Sequence, residues 1–462
     1  MKTAKGKIKI EKNVLVVGLG ESGLATAQWL IKQGVAVTVS ERMGESDLKR
    51  DIFDNLLRTG ARLELGGHNV ETFTKTDLIV VSPGVPLNIE PLVKARQQGI
   101  PVIGEIELAC RYIKSNIIAV TGTNGKSTVV TLMGNILRKA GKEVFVGGNI
   151  GRPLINYIGG DQKADYIVLE VSSFQLDTIK DYFSPLLSVI LNISPDHLDR
   201  YEDYNAYARS KERIFENQGL GQNLILNDDD MWLKKLEPTN GVTIYRYGLT
   251  NKKERHAFLD NGYVFVKLPD EDLIKLSFNN PALPGDHNKE NVAAAVLASA
   301  VLKIPPSAIQ LAVDDFHGLP HRIEFVDTLK GVAFYNDSKA TNIDAAIKSI
   351  NSFSSQIVLI AGGRHKGSDY NHLVESASDR VKSVILLGEA SDILAESFNM
   401  KIPWIKAENM TEAVYLAFNK TDKGDVVLLA PACSSFDMFK DYKQRGNVFR
   451  KAVERLKNDW QK

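Results

Sequence analysis

The chain has 462 residues, 44% apolar, 24% charged and 8% aromatic, enough for about three domains at roughly 100–200 residues each, and its composition excludes wholesale disorder. Lys and Arg number 57 against 56 Asp and Glu, a formal charge of +1, so the basic field that attracts nucleic acid or anionic membrane is missing. Two cysteines, Cys110 and Cys433, are too few for a disulfide scaffold or a Cys-rich metal site, and a reducing, cytoplasmic setting is expected.

At the N-terminus, lysines precede the apolar run 14–17 and imitate a signal peptide. The run is short, ends in glycines and carries no small-x-small cleavage site, so it reads as a first buried strand. Similar β-branched runs follow at 35–39, 78–81 and 101–103, then at 116–120, 166–169 and 188–191. A third series lies at 332–335, 356–360, 383–387 and 425–429. Continuous apolar strands with glycine turns and helical stretches between them indicate parallel sheets covered on both faces. The expected fold is α/β in three domains, with boundaries near 113 and 320. Between 223 and 278 the texture changes: Asn261 and Gly262 ahead of the strand-like run 263–266 give a hairpin signal, and an antiparallel addition is expected there. The longest clean apolar stretch, 292–302, is well short of the roughly 18 residues a spanning helix needs, and no membrane span is expected.

Two glycine loops carry the chemistry. Gly18, Gly20 and Gly23 follow a strand and open a helix, with Glu41 ending the next strand, which meets the form of the dinucleotide fingerprint. A helix N-terminus serves any pyrophosphate, so NAD, another nucleotide diphosphate and a tight turn without a ligand all stay open. Ser82, Pro83 and Gly84 place a further turn at the same edge. The run TGTNGKS at 121–127 sits between a strand and a helix and resembles a phosphate-binding P-loop, with two residues rather than four between Gly122 and Gly125. The backbone of Gly122, Thr123, Asn124 and Gly125, with Thr128 just beyond, would cradle phosphates. Lys126 would neutralise the terminal ones and Ser127 would offer a hydroxyl to Mg²⁺, with ATP the expected nucleotide. The plain alternative is a glycine turn with a surface lysine.

Glu170 ends a buried strand, where Mg²⁺ beside a P-loop takes a hard oxygen ligand; the alternative is a helix cap through Ser172 or Ser173. Asp196 and His197 follow another strand and are ligand candidates at the same sheet edge. Lys211, in the helical stretch 204–216, reads by itself as a solvated lysine.

Together the P-loop, Glu170 with SSFQL at 172–176, DHLDRY at 196–201 and DSKATN at 337–342 resemble the Mur ligases over nearly the whole chain. These are the ATP-dependent amide-forming enzymes of peptidoglycan assembly. The resemblance implies a Rossmann-like domain over 1–113 for a uridine-diphosphate precursor and a central ATPase domain over 114–320, a parallel sheet with a small antiparallel extension. A second Rossmann-like domain over 321–462 would take the incoming amino acid. It implies Gly20, Glu21, Ser22, Glu41, Arg42 and Gly84 around the uridine diphosphate, with Asn149 and His197 on the sugar-peptide. Asn288 and Asn291 would lie beside adenine, and Arg322, Asp337 and Lys339 would serve ATP from the third domain. Thr341, Lys366 and Ser435 would hold the amino-acid carboxylates. Tyr442 stands where the family is expected to have phenylalanine, and the loop 363–366 departs from its more acidic counterpart.

Lys211 falls at the position the family carbamylates, which would turn a cation into an anionic oxygen ligand. Ser127 and Glu170 would hold one Mg²⁺; Glu170, His197 and carbamylated Lys211 would hold a second. The resemblance implies addition of D-glutamate to UDP-N-acetylmuramoyl-L-alanine through an acyl phosphate, with Lys126, Glu170, His197, Lys211, Arg322 and Lys339 as the catalytic group. Ligases adding other amino acids or making folylpolyglutamate are the near alternatives. An NAD-dependent oxidoreductase built on 18–23 would leave the P-loop unexplained, and a nucleotide-switch module would use ATP without ligation. A monomer acting on small molecules, without nucleic acid or membrane partners, is expected.

Overall fold

The computed structural model describes residues 11–48, 54, 56, 58, 60–194, 200–278, 280, 283–365, 369–399 and 401–461. Among them the strands form three sheets. In the first, β1 (Asn13–Val17), β2 (Ala36–Glu41), β3 (Arg62–Leu65), β4 (Leu78–Val81) and β5 (Val102–Gly104) lie in the order β3-β2-β1-β4-β5, all parallel. Alternate residues of β1 feed two cores, Val14 and Val16 one face, Leu15 and Val17 the other. The chain reverses its direction of winding between β1 and β4, which opens a crevice at the carboxyl ends of those strands.

The second sheet comprises β6 (Asn116–Thr121), β7 (Val144–Gly148), β8 (Tyr166–Glu170), β9 (Leu187–Ile190), β10 (Asn223–Asn227), β11 (Thr243–Tyr247), β12 (Ala257–Asp260), β13 (Tyr263–Val266) and β14 (Ile274–Ser277). Its order is β14-β13-β12-β11-β10-β9-β6-β8-β7. The antiparallel addition is smaller than the texture of 223–278 suggests. β10 and β11 continue the parallel sheet, because the apolar centre of β10 is buried on both faces; only β12, β13 and β14 pair antiparallel. Asn261 and Gly262, with φ of +46° and +78°, make the expected hairpin turn. β7 escapes a reading by apolar runs because it ends in two glycines.

The third sheet holds β15 (Glu324–Leu329), β16 (Val332–Asn336), β17 (Ile357–Gly362), β18 (Val381–Leu387), β19 (Trp404–Ala407) and β20 (Val426–Leu429), ordered β15-β16-β20-β17-β18-β19. All pairs are parallel except β15 with β16. β15 and β19 are the edges, half exposed and carrying charges such as Glu324, Asp327 and Lys406, the composition that keeps edges from pairing with other chains.

The chain divides into two compact units, 1–278 with 290–313, and 279–289 with 314–462. Within the first unit one hydrophobic cluster runs from Val14, Leu30 and Ile106 to Ala119, Ile155 and Leu169, so the first two sheets share a core. The helix Glu105–Cys110, buried along its whole length, lies in that shared core. Just before it, the Gly104 amide donates to the Thr178 carbonyl at 2.9 Å, and a Cβ on Gly104 would stand 2.2 Å from Thr178 Oγ1. Gly104→Ala is therefore expected to destabilise the protein by about 1–3 kcal/mol through overpacking, measured by denaturant unfolding. In the second unit, β17 sends Ile357 and Leu359 into one core and Val358 and Ile360 into another, the signature of a sheet between two helical layers. Among the described residues no helix is long and apolar enough to cross a membrane.

Candidate active site

The loop after β6 is shaped by two glycines with left-handed backbones, Gly122 at φ +151° and Gly125 at φ +87°. A Cβ on Gly125 would meet Asn291 Oδ1 at 2.2 Å, so the asparagine lies directly on the loop. Asn192 braces the other side: its Oδ1 accepts from the Asn124 amide at 2.8 Å and its Nδ2 donates to the Asn124 carbonyl at 3.1 Å. The helix Lys126–Lys139 starts at this loop and includes Thr128 in its first turn. Its unbonded amides make an anion site. Lys126 curls back, donating from Nζ to the carbonyls of Gly122 and Thr123 at 2.7 and 3.0 Å.

Glu170 ends β8 beside β6 and is 2% exposed. Ser127 Oγ donates to its Oε2 at 2.7 Å, and Asn149 Nδ2 donates to its Oε1 at 2.8 Å. Capping of the next helix falls instead to Ser172 and Gln175, which form a reciprocal box. Lys211 is not solvated: it is 2% exposed, at the end of the helix Tyr204–Glu212. Its Nζ donates to the Gly122 carbonyl at 3.1 Å and stands 4.5 Å from the centre of the Tyr207 ring. Its charged neighbours Arg209, Glu212 and Arg213 hide this burial from a reading of the sequence. Asp196 and His197 lie outside the described residues.

A hydroxyl and a carboxylate beside a P-loop fit the hard-oxygen preference of Mg²⁺. Among the described residues no group of three or more His, Cys, Asp or Glu could hold a metal; Glu170 and Ser127 are the pair beside the P-loop.

A cleft of about 490 Å³ adjoins this region, at the crevice of the first sheet. Gly20, Glu21, Ser22, Glu41, Arg42 and Gly84 line one side; Asn149, Gly151, Pro153 and Gln175 line the other. Glu41 shapes the wall through backbone bonds, its Oε2 accepting from the Leu19 amide at 2.7 Å and its Oε1 from the Met43 amide at 3.0 Å. His68 also lines the cleft and is bonded to Ser40 Oγ at 2.8 Å. Burial holds its imidazole below the usual histidine range, against the pull of Glu41. Nothing in the sequence marks His68, which reaches the cleft from the loop after β3. Arg200 spans both sides: it donates to the carbonyls of Gly84 and Val85, each at 3.2 Å, with its guanidinium 4.2 Å from the centre of the Phe174 ring.

Asn288 and Asn291 are both buried and stand three residues apart on the helix Asp286–Val301, hence on one face. Asn288 Nδ2 donates to the Pro284 carbonyl at 2.7 Å.

In the second unit, Arg322, Asp337, Lys339 and Tyr442 come together at the end of β16. The Lys339 amide donates to the His321 carbonyl at 3.1 Å, and Lys339 Nζ stands 5.4 Å from the Tyr442 ring centre. Burial pushes the Asp337 carboxyl up to about 6, opposed by a bond from Ser349, the Ile323 amide and the charges of Arg322 and Lys339. Thr341 precedes the helix Ile343–Asn351, which Asn342 caps by accepting from the Ala345 amide at 2.8 Å. Ser435 follows β20 and is buried; Lys366 lies outside the described residues. Buried Arg445, which sequence reasoning misses, ties these loops together. It donates to Ser338 Oγ at 3.0 Å, to the Ser338 carbonyl at 2.8 Å and to the Cys433 carbonyl at 3.1 Å. Burial lowers it to about 10.

Three family models match in order along the chain: the MurD-like N-terminal domain of Mur ligases over residues 12–104, the Mur ligase middle domain over 120–299, and the glutamate ligase domain of Mur ligases over 321–433. The chain is 44% identical over 448 residues to a UDP-N-acetylmuramoylalanine–D-glutamate ligase of Desulfosudis oleivorans, covering 96% of this chain and 97% of that one. To the enzyme of the same name from Acidobacterium capsulatum it is 45% identical over 444 residues, covering 96% of each. Among solved structures, the ADP complex of a MurF ligase from Thermotoga maritima has the same fold, with a TM-score of 0.57 at 17% identity over 91% of this chain and 96% of that one. The UDP-N-acetylmuramate–alanine ligase of the same organism gives a TM-score of 0.56 at 18% identity, over 97% and 99% of the two chains.

Proposed function

The chain belongs to the Mur ligase family, and from that membership we infer that it joins D-glutamate to UDP-N-acetylmuramoyl-L-alanine with cleavage of ATP. It is an ATP-dependent amide ligase of peptidoglycan precursor synthesis. The observation that carries the reading to the chemistry is the double engagement of Glu170. One of its oxygens bonds Ser127 of the P-loop and the other bonds Asn149 of the cleft wall, so nucleotide loop and precursor cleft meet at one carboxylate.

In the proposed mechanism the P-loop amides and Lys126 hold the phosphates of ATP. The cleft presents the L-alanine carboxylate in line with the γ-phosphorus. A bond forms from carboxylate oxygen to phosphorus as the bond to ADP breaks, giving an acyl phosphate. The amine of D-glutamate then attacks the carbonyl carbon, and the tetrahedral intermediate expels phosphate, which takes up the proton the amine loses. Cations are needed because two anionic reactants must approach each other. Lys126 supplies charge at the loop, Arg322 and Lys339 are proposed for the same duty, and Asp337 is proposed to bind ATP beside them. Asn288 and Asn291 are proposed beside adenine. Gly20, Glu21, Ser22, Glu41, Arg42 and Gly84 are proposed for the uridine diphosphate. Thr341, Lys366, Ser435 and Tyr442 are proposed for D-glutamate.

Mg²⁺, when bound, neutralises developing phosphate charge; Ser127 and Glu170 would hold it, and Glu170, His197 and carbamylated Lys211 would hold a second ion. One feature supports the carbamate. Lys126 and Lys211 place two ammonium groups on the one carbonyl of Gly122, a like-charge arrangement that an anionic Lys211 would relieve. Carbamylation would give Lys211 an anionic oxygen for the second ion. Substrates of this kind suit a monomer in the cytoplasm acting in cell-wall growth, and thereby in cell shape and division.

The test is phosphate release from ATP with UDP-N-acetylmuramoyl-L-alanine and either D-glutamate, L-glutamate or no amino acid. Release coupled to product is expected with D-glutamate alone; release indifferent to both partners would overturn the assignment.

A further inference from the structure

We propose that Glu105 is a positioning residue for the precursor cleft, tethering from within the shared core the loop that forms one of the cleft's walls. The loop 148–153 contributes Gly148, Asn149, Gly151 and Pro153 to the cleft. Its first end is fixed on the ATP side, where the Asn149 amide donates to the Glu170 carbonyl at 2.8 Å. Its far end runs into the short helix Ile155–Ile158, whose first amide, that of Ile155, donates to Glu105 Oε1.

Glu105 belongs to a different part of the chain, the helix that follows the last strand of the first sheet. It is 4% exposed and Ile155 is 1% exposed, so neither end of this bond has water as a substitute. Burial pushes the Glu105 carboxyl up to about 7, opposed by the amides of Ile155 and Leu154 that face it. The same helix is anchored a second time by Glu107, which accepts from the amides of Tyr182 and Phe183 at 3.0 and 3.2 Å. Glu105 thus hangs from a helix that is itself held in place, and through Ile155 it sets where the cleft loop ends. A carboxylate in a core costs desolvation, and an apolar side chain of the same size would pack there without that cost. What an apolar side chain lacks is an acceptor for the Ile155 amide, and a buried donor without an acceptor pulls its backbone toward another partner. Pro153, which lies between Ile155 and the Arg152 carbonyl that accepts from the Gly148 amide at 2.9 Å, would move with it; the P-loop, held by Asn192, would not.

The proposal rests on reading the cleft as the precursor site, and the experiment separates the two. KM for UDP-N-acetylmuramoyl-L-alanine, KM for ATP and kcat are measured for wild type, Glu105→Leu and Glu105→Gln. Glu105→Leu, which fills the space without an acceptor, is expected to raise the precursor KM about tenfold while the ATP KM and kcat stay within about twofold. Glu105→Gln, whose amide oxygen still accepts from Ile155, is expected to stay within about threefold of wild type on all three. An unchanged precursor KM in Glu105→Leu, or equal increases in both KM values, overturns the tether. A wild type with no precursor-dependent turnover would instead overturn the reading of the cleft. If Glu105→Leu does not fold, hydrogen exchange in wild type and Glu105→Gln decides: a protected Ile155 amide in both supports the tether, and free exchange at Ile155 in wild type overturns it.

Discussion

Lys126→Ala is expected to lower kcat/KM for ATP-dependent ligation by about 10³-fold or more, the scale on which a cation aimed at a transferring phosphoryl group contributes. The side chain reaches back over the P-loop, bonding the Gly122 and Thr123 carbonyls. In the proposed mechanism it neutralises the γ-phosphate charge that accumulates during transfer. Because its bonds are to carbonyls of a loop that Asn192 also braces, removal should leave the fold intact. The thermal midpoint is expected to stay within a few degrees of wild type while steady-state turnover collapses. A variant with unchanged turnover would remove the P-loop from the mechanism. Lys126→Arg is expected to recover little, since a planar guanidinium does not fit a space made for a compact ammonium.

Lys211→Ala is expected to lower kcat by about 10²–10³-fold. Lys211→Arg is expected to fare no better, because it keeps a positive charge and cannot take up CO₂. That pairing separates the two roles a buried lysine could have here. A lysine acting as a cation would be rescued in part by arginine; a lysine acting as a carbamate would not. Incubation of the wild type with ¹³C-bicarbonate is expected to give a carbamate resonance that Lys211→Ala lacks. Wild-type activity in Lys211→Arg, or absence of the labelled resonance in active wild-type enzyme, would end the carbamate proposal. The geometry makes either outcome informative, since Lys211 is buried against Tyr207 and shares the Gly122 carbonyl with Lys126.

Much of this molecule is legible without coordinates. Apolar runs of four to six residues bounded by glycine identify most strands of the three sheets, because a strand buried on both faces has no polar alternation to confuse it. Strands that depart from that pattern escape: β7 for its glycines, β15 and β19 because edge strands are half exposed and charged. β10 and β11 are strands where a change of texture is visible, but their parallel pairing comes from neighbours far away in the chain.

The sequence by itself determined the α/β class, the two glycine loops at strand-to-helix turns and, through its resemblance, the family. All of these rest on local runs in which backbone conformation and residue type are coupled over a few positions. Only the tertiary structure decided which side chains meet. Glu170, Ser127 and Asn149 are separated by 21 and 43 residues yet share hydrogen bonds, because parallel strands deliver their carboxyl ends to one edge. Lys211 looks solvated by its neighbours and is buried by the loop 89 residues earlier. Glu105, which no motif in the sequence singles out, lies in a core that two sheets share. Burial and pairing of polar groups depend on contacts far apart in the chain, and no local pattern encodes them.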